Sequence, residues 1–345
     1  MKILVIGGTG LMSTEITAQL LERGDEVWHF NRGQTPARFK GCVQSIRGDR
    51  WQYPAFEAAM QGRSFDAVID MVAFHPDNTR AVLKALKGRM GQLVVCSTVC
   101  VYGGPLTKLP ATADEPHRFV SEYGRNKSAI EALTLAEDGK DGLRTTVIRP
   151  SFTTGEGHTA SGLLFDDGTV DRLRRGLPVI IMDDGKAAWA IAHASDVARG
   201  FVASLGNAKA YGQAYHLTSD EHTDWNGVFQ ALAQAAGAKA PLLCHVPSDW
   251  LYGQAPRRSV GIQYIYKYPS IFDNSKARAD LGFATTVPLV ETFRRQIKWM
   301  EAEGKLLRAE EEPVQSVLYE AYLKGTVPAP GSFVDFNPWG NQVTN

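Results

Sequence analysis

The sequence has no excess of charge of either sign and no long hydrophobic run. Its 37 Lys and Arg residues balance 37 Asp and Glu residues, so the formal net charge at neutral pH is zero. A protein that binds nucleic acid mainly by charge needs a basic surplus, so this balance argues against that class. The apolar runs, such as residues 93–96, have the length of strands. A membrane-spanning helix needs about 20 apolar residues, so the sequence predicts no transmembrane segment and no membrane partner.

Cysteine is also scarce, and the amino terminus lacks the pattern of a secretion signal. The cysteines form no Cys-x-x-Cys pair and have no metal-ligand spacing with histidine; they are Cys42, Cys96, Cys100 and Cys244. We therefore expect reduced thiols and no metal site. The apolar segment 2–6 runs directly into Gly7 and is too short for the hydrophobic region of a signal peptide. These features predict a cytoplasmic protein.

Short β-branched runs alternate with helical periodicity through the first half of the chain. The predicted strands are residues 2–6, 26–30, 42–47, 67–70, 92–97 and 145–148. This alternation is typical of β-α-β units around a parallel sheet. It predicts an α/β fold, with a Rossmann-type doubly wound parallel sheet over residues 1–150. A smaller substrate-binding lobe is expected over residues 151–308, with some segments returning to the first domain, and a surface extension of irregular chain over 309–345.

A glycine-rich turn follows the first predicted strand. Gly7 and Gly10 lie where the backbone turns tightly into a helix, and the amides at a helix start favour a pyrophosphate. The second predicted strand ends in Asn31 and Arg32, without the carboxylate that would bind a ribose 2′-hydroxyl. Arginine instead favours a 2′-phosphate, although a solvated arginine at a strand end has the same sequence pattern. The turn therefore predicts NAD or NADP, and Arg32 slightly favours NADP.

A threonine, a tyrosine and a lysine form the candidate catalytic group. Tyr123 and Lys127 are four residues apart, which places them on one face of a helix. An ammonium near a phenol favours the phenolate and lowers the tyrosine pKa toward the range useful for acid-base catalysis. Thr98 follows the fifth predicted strand, so a carbonyl or alcohol oxygen could lie between Thr98 and Tyr123. The Tyr-x-x-x-Lys spacing often arises by chance, and its position after the glycine-rich unit is what makes it informative.

Over about residues 1–300 the chain resembles an extended short-chain dehydrogenase/reductase of the NAD-dependent epimerase/dehydratase type. The motifs that carry the resemblance are Gly7 and Gly10, Asp49, residues 66–73, Thr98 with residues 101–103, Tyr123 and Lys127, Arg149-Pro150, His193 with residues 196–198, and residues 273–282. The resemblance implies that Tyr123 is the general acid or base and that Lys127 orients the nicotinamide ribose. It also implies that Thr98 holds the reacting oxygen, with Ser97 as the alternative, and that the protein is a homodimer.

The same patterns give a set of expected cofactor contacts. They are Gly7, Thr9, Gly10, Leu11, Met12, Asn31, Arg32, Asp49, Arg50, Val72, Ala73, Lys127 and Pro150. Among them Asp49 follows the third predicted strand, where its carboxylate could accept a hydrogen bond from the adenine amino group.

Departures from the family pattern narrow the expected substrate. Val99 and Cys100 replace the Asp-Glu pair that moves protons in the dehydratases, so a nucleotide-sugar dehydratase is disfavoured. Trp189 replaces the arginine with which relatives clamp a nucleotide diphosphate. Aromatic side chains could instead stack on a sugar ring, although core aromatics fit the pattern equally well. The expected substrate contacts are Ser97, His75, Trp189, Tyr264 and Tyr268.

These observations predict an NAD(P)-dependent oxidoreductase or epimerase. It would act by hydride transfer on a secondary alcohol of a sugar or sugar-like molecule that lacks a nucleotide diphosphate. A nucleotide-sugar epimerase remains an alternative. A second alternative is a catalytically silent RNA-binding or regulatory protein, because some chloroplast RNA-binding proteins resemble the same fold. Zero net charge and the Tyr123/Lys127 pair weigh against the RNA-binding alternative.

Overall fold

The computed structural model describes residues 1–118, 120–159, 162–164 and 166–336. The strands are β1 (Lys2–Ile6), β2 (Glu26–Asn31), β3 (Gln44–Arg47), β4 (Phe65–Asp70), β5 (Met90–Cys96), β6 (Arg144–Pro150), β7 (Phe152–Thr154), β8 (Val179–Met182), β9 (Ala188–Trp189), β10 (Ile191–His193), β11 (Gln213–Leu217), β12 (Thr223–Asp224) and β13 (Leu243–Val246). The α-helices are α1 (Leu11–Glu22), α2 (Tyr53–Ala59), α3 (Pro76–Ala85), α4 (Glu122–Leu135), α5 (Thr169–Arg175), α6 (Ala194–Ser204), α7 (Trp225–Ala235), α8 (Ser248–Gln254), α9 (Ser275–Leu281), α10 (Leu289–Ala302) and α11 (Val314–Lys324).

Seven strands form one parallel sheet in the order β11-β6-β5-β4-β1-β2-β3. The chain builds outward from β1 through β2 and β3, then returns to the other side of β1 with β4. The predicted Rossmann-type α/β fold is therefore confirmed. In such sheets the strand order reverses beside β1, and a crevice opens there at the carboxyl ends of the strands.

The first strand shows why this sheet is covered on both faces. Ile3 and Val5 pack in one core cluster with α1 and α6, whereas Leu4 and Ile6 pack in a second cluster with α2, α3 and α4. All four side chains are completely buried. Because successive strand residues point to opposite faces, a continuous apolar run is what a doubly covered parallel strand requires.

The six predicted strands are present with small shifts at their ends, but the sheet has a seventh strand that was not predicted. Strand β11 pairs in parallel with β6, so the chain returns to the main sheet after residue 151. Its sequence, Gln-Ala-Tyr-His-Leu, has few β-branched residues, and its place in the sheet comes from pairing rather than from local propensity.

The later part of the chain builds a separate hydrophobic core. Three small strand pairs, β8-β13, β7-β10 and β9-β12, lie around it, and its members include Trp225, Phe229 and Phe293. The predicted irregular surface chain over 309–345 is wrong for residues 314–324, which form α11. Val314 and Leu318, one helical turn apart, are completely buried in this core. Residues 337–345 of the predicted extension lie outside the described part of the chain. Among the described helices, none is both long and apolar enough to cross a membrane.

Candidate active site

A cavity of about 460 Å³ lies at the carboxyl ends of β1 and β2 and the turn after β3. Of the expected cofactor contacts, those that line it are Gly7, Thr9, Gly10, Asn31, Arg32, Asp49, Arg50 and Val72. The cavity therefore coincides with the position where the strand order reverses, which is the ligand-binding crevice of this type of sheet.

The glycine-rich turn is shaped for a close approach to a ligand. Gly7 has a φ of +85°, and a Cβ there would lie 2.6 Å from Cγ1 of Val72. Gly10 caps α1, and its N–H donates to the hydroxyl of Ser13 at 2.8 Å. The first turn of α1 presents further amides that have no partner within the helix. A phosphate group fits this arrangement of glycine backbone and helix amides.

Arg50 also lines this cavity, but other residues of the protein bind its guanidinium. Its guanidinium donates to both oxygens of Asp70, at 2.7 and 2.8 Å, and to the carbonyl of Asn78 at 2.7 Å. Its buried Nε has no partner among the described residues. That donor, together with the acceptor Asp49 on the cavity wall, fits a nucleotide. A buried polar group of this kind normally has a partner.

Five expected cofactor contacts do not line this cavity in the described structure, and one of them, Lys127, donates instead to the carbonyl of Cys96. Leu11 begins α1, and Met12 packs against the core beneath that helix. Ala73 is completely buried in the core on the opposite face of the sheet. Pro150 is the last residue of β6 and is buried there. The first turn of α1 contributes through its backbone, whereas Ala73 and Pro150 support the sheet.

The three candidate catalytic residues lie together. Helix α4 begins after Ser121, whose hydroxyl accepts the N–H of Gly124 at 3.1 Å, and it carries Tyr123 and Lys127 one turn apart. The ammonium of Lys127 donates to the carbonyl of Cys96 at 2.7 Å and lies 5.8 Å from the centroid of the Tyr123 ring. The Thr98 hydroxyl forms a hydrogen bond with the Tyr123 side chain. The end of β5 and the start of α4 therefore bring a hydroxyl, a phenol and an ammonium to one place.

The protonation of this group differs from the expectation. Burial raises the pKa of Tyr123 well above its usual value, and the hydrogen bond from Thr98 offsets only part of that effect. Burial also lowers the pKa of Lys127. Desolvation disfavours the charged form of each group. The buried phenol of Tyr123 therefore holds its proton more tightly than a free tyrosine does.

A second cavity, of about 540 Å³, opens directly beside Thr98 and Tyr123. Trp189, an expected substrate contact, lines it and stacks on Trp225, with ring centroids 5.4 Å apart. Tyr266 also lines it, at 5.2 Å from Trp189 between centroids. Tyr266 lies between the expected contacts Tyr264 and Tyr268 in the sequence. Residues 262–266 form a π-helical turn, and Tyr266 is buried in the core and lines the cavity.

The other expected substrate contacts lie outside this cavity. Ser97 donates its hydroxyl to the buried carboxylate of Glu131. His75 caps α3 and accepts the N–H of Asp77 at 3.3 Å. The hydroxyl of Tyr264 donates to that of Tyr252 at 3.4 Å, and the ring of Tyr268 packs against Gly104. Each of these side chains has a structural contact of its own, so Thr98 rather than Ser97 faces the cavity.

Sequence reasoning missed the ionisable groups in the cavity wall. They are His158, Asp167 and Glu312. Burial lowers the pKa of His158 to about 4, so its imidazole is neutral at neutral pH. The acidic run 310–312 suggested a solvated surface, yet the guanidinium of Arg258 holds the Glu312 carboxylate at 2.6 Å. A contact between positions so far apart in the chain leaves no local sequence signal.

Comparison with models of known protein families agrees with the resemblance predicted from the motifs. The model of the NAD dependent epimerase/dehydratase family matches residues 3–217, more than half of the chain. The chain belongs to that family. The family resemblance predicted from the motifs is therefore confirmed. The described residues contain no group of three or more His, Cys, Asp or Glu side chains placed to hold a metal ion.

Two curated relatives and one solved structure illustrate the range of this similarity. The chain is 28% identical over 251 residues to 2′-dehydrokanamycin reductase of Streptomyces kanamyceticus, covering 72% of this chain and 70% of that one. It is 25% identical over 304 residues to chloroplast stem-loop binding protein of 41 kDa b of Arabidopsis thaliana, covering 84% and 76%. The structure of UDP-glucose 4-epimerase from Thermotoga maritima with UDP-glucose superposes with a TM-score of 0.73 at 19% identity, covering 88% of this chain and 99% of that one. At that identity the superposition shows the fold alone.

Proposed function

We propose that the chain is an NAD(P)-dependent oxidoreductase or epimerase for a sugar or sugar-like molecule without a nucleotide diphosphate. The reacting group is a secondary alcohol or the corresponding ketone. The observation that carries the proposal is the hydrogen-bonded pair of Thr98 and Tyr123 on the wall of a cavity, beside the buried Lys127. Family membership and a relative named as a reductase of a kanamycin derivative support it.

The residues of the chain have distinct roles in this proposal. Thr98 and Tyr123 hold the substrate oxygen between two hydroxyl groups, and Tyr123 gives it a proton during reduction or takes one during oxidation. Lys127, fixed by the carbonyl of Cys96, sets the position of the phenol and keeps a positive charge beside it. A nicotinamide cofactor, when bound, supplies the hydride chemistry. The glycine turn and the wall formed by Asn31, Arg32 and Asp49 hold its nucleotide portion.

The charge of the substrate cavity supports a substrate without a diphosphate. No Lys or Arg lines that cavity within the described structure, and its lining includes the acidic residues Asp167 and Glu312. A diphosphate needs basic partners for charge-assisted hydrogen bonds, and the family resemblance implies that Trp189 takes the place of such an arginine. The alternative, a nucleotide-sugar epimerase, would have to neutralise the diphosphate without a basic group from this wall.

The test is to incubate the protein with NADP⁺ or NAD⁺ and a panel of free and nucleotide-linked sugars, following absorbance of the reduced nicotinamide. A sustained change with a free sugar indicates a dehydrogenase. Epimer formation without a net change in absorbance, measured by NMR of the sugar, indicates an epimerase. Turnover of UDP-glucose and of no free sugar would reject the diphosphate-free substrate.

We also propose that the cofactor is NADP rather than NAD. Arg32 lines the nucleotide cavity, and the exposed side chain of Arg47 reaches the Arg32 carbonyl at 3.1 Å. Two guanidinium groups at the end of β2 suit a 2′-phosphate. Arg32→Ala should raise the KM for NADP by about tenfold, on the scale of one lost charge-assisted contact, and leave the KM for NAD unchanged. Arg80→Ala on the exposed face of α3 is the control, and equal effects on both cofactors would contradict the proposal.

The RNA-binding alternative makes a separate prediction. One relative is named as a stem-loop binding protein, but zero net charge gives this chain no general attraction for phosphate. We expect weak RNA binding without a steep dependence on salt concentration, measured by fluorescence anisotropy. Tight, steeply salt-dependent binding with no affinity for either cofactor would favour the alternative. A homodimer and a cytoplasmic location stay predictions from the sequence.

A further inference from the structure

The wall of the substrate cavity has an uncompensated negative charge. Its lining includes two carboxylates, Asp167 and Glu312, and among the described residues it includes no lysine or arginine. One guanidinium, that of Arg258, faces both carboxylates: it pairs with Glu312 at 2.6 Å and acts on Asp167 by its charge. No described Lys or Arg forms an ion pair with Asp167, whose interactions include a hydrogen bond with Thr159. A neutral sugar would leave that charge in place.

Arg258 fixes this wall in position. Its side chain is 2% exposed, donates to the carbonyls of Val334 and Leu164 at 2.5 and 3.2 Å, and lies 4.2 Å from the ring centroid of Phe336. Phe336 itself lines the cavity. With its donors engaged in these contacts and in the pair with Glu312, Arg258 is committed to holding the carboxyl-terminal segment. Its charge lowers the pKa of Asp167, but no ion pair joins the two side chains within the described structure.

The surroundings of Asp167 favour a cation in the substrate cavity. Burial raises the pKa of its carboxyl, and the neighbouring carboxylates of Asp166 and Glu312 raise it further, against the hydrogen bond from Thr159 and the charge of Arg258. Placing a positive charge in the cavity would relieve both the burial and the repulsion. The same cavity is lined by Trp189, which is 3% exposed and whose indole N–H has no partner among the described residues. The Trp189 ring thus gives the cavity an aromatic wall beside the carboxylate of Asp167.

We propose that the substrate is a polyhydroxylated ring that carries a protonated amine, and that Asp167 binds that ammonium. This inference rests on the proposed function and specifies its substrate class as an amino sugar. Trp189 and Tyr266 provide the aromatic wall against which the ring packs, and Asp167 provides the charge that selects an amino substituent over a hydroxyl or an acetamide. Asp167 is a specificity-determining residue, while Tyr123 and Thr98 contact the reacting oxygen.

The test compares two probes that differ only in charge and acylation, kanamycin and fully N-acetylated kanamycin. Their Kd values are measured by isothermal titration calorimetry on the full-length protein and on Asp167→Asn. The wild-type protein should bind kanamycin at least about tenfold more tightly than the acetylated probe, the scale of one charge-assisted contact. Asp167→Asn should lose that preference by weakening kanamycin binding alone. This double comparison isolates the contact between the carboxylate and the ammonium.

Two further variants serve as controls. Asp141→Asn removes the same charge from a side chain that is 64% exposed, and it should leave both Kd values unchanged. Asp167→Glu keeps the charge and should retain a preference for kanamycin. If Asp167→Asn does not fold, this variant still shows whether a carboxylate at position 167 accompanies the preference.

The outcomes separate this inference from the proposed function. Equal binding of the two probes by the wild-type protein overturns the inference, as does an equal loss for both probes in Asp167→Asn. If neutral sugars are turned over in that case, the proposed function still holds. Kanamycin could instead bind through Asp167 while no free or nucleotide-linked sugar changes nicotinamide absorbance or epimerises. In that case the proposed function fails, and the selection of an ammonium by Asp167 still holds.

Discussion

Tyr123→Phe should reduce kcat by about 10²–10⁴-fold, the usual contribution of a positioned proton donor or acceptor. The phenol is the group beside Thr98 that can exchange a proton with the substrate oxygen, and phenylalanine keeps the ring but not the hydroxyl. Cofactor affinity should be unchanged, because Tyr123 does not line the nucleotide cavity. Steady-state kinetics with the substrate found above, together with cofactor titration by fluorescence, would measure both quantities.

The matched control is Tyr264→Phe, which removes a hydroxyl bonded to Tyr252 outside the substrate cavity. Its kcat should equal that of the wild-type protein. The pH profile adds a second readout. Because burial raises the pKa of Tyr123, the rate of ketone reduction should fall only on the alkaline side, as the phenol loses its proton. That alkaline decline should vanish in Tyr123→Phe. A variant with wild-type kcat and an unchanged profile would remove Tyr123 from the mechanism.

The largest effect on stability should come from Arg149→Met. Arg149 and Glu131 are 5% and 2% exposed, and the guanidinium approaches the carboxylate at 2.5 Å. Arg149 also donates to the hydroxyl of Tyr102 and the carbonyl of Ala113, each at 2.7 Å. Removing the cation leaves a buried carboxylate without its counterion, which costs about 3–5 kcal/mol of the free energy of unfolding. Urea unfolding followed by circular dichroism would measure the loss.

Two comparisons make this prediction specific to the buried charge. Arg80→Met breaks an exposed pair with Asp77 and should cost less than about 1 kcal/mol. Adding Glu131→Gln to Arg149→Met removes the stranded carboxylate, so the double variant should be more stable than Arg149→Met alone. If the second substitution gives no recovery, lost packing rather than an unpaired charge explains the effect.

The parts of the fold that the sequence predicts well are those with local signals. Strand β1 is apolar on both faces because the parallel sheet is covered on both sides, and the glycine turn after it has a backbone shape that requires Gly7. Helix α11 was not predicted. The proline and glycine residues near the end of the chain favour irregular structure, and they outweighed the apolar spacing of Val314 and Leu318 in the prediction. Strand β11 was missed because its place depends on pairing with β6.

The candidate site likewise contains residues that the sequence predicts and residues that it does not. Thr98, Tyr123 and Lys127 have fixed positions relative to β5 and α4, and the structure brings them together. Tyr266 lines the cavity, whereas the expected contacts Tyr264 and Tyr268 do not, and no spacing in the sequence distinguishes the three tyrosines. Asp167 and Glu312 enter the cavity wall through tertiary contacts, above all the pairing of Glu312 with Arg258. Contacts of that kind depend on the whole fold and have no signature in a short window of sequence.

The contribution of Glu312 and Phe336 to the cavity wall bears on how the protein matures during synthesis. The core of the sheet that carries the nucleotide cavity includes residues of α6, β11 and α9 and extends to Phe283. The substrate cavity also needs Glu312 and Phe336, which contact Arg258. As the chain emerges from the ribosome, the core of the sheet can therefore be complete before the substrate cavity is.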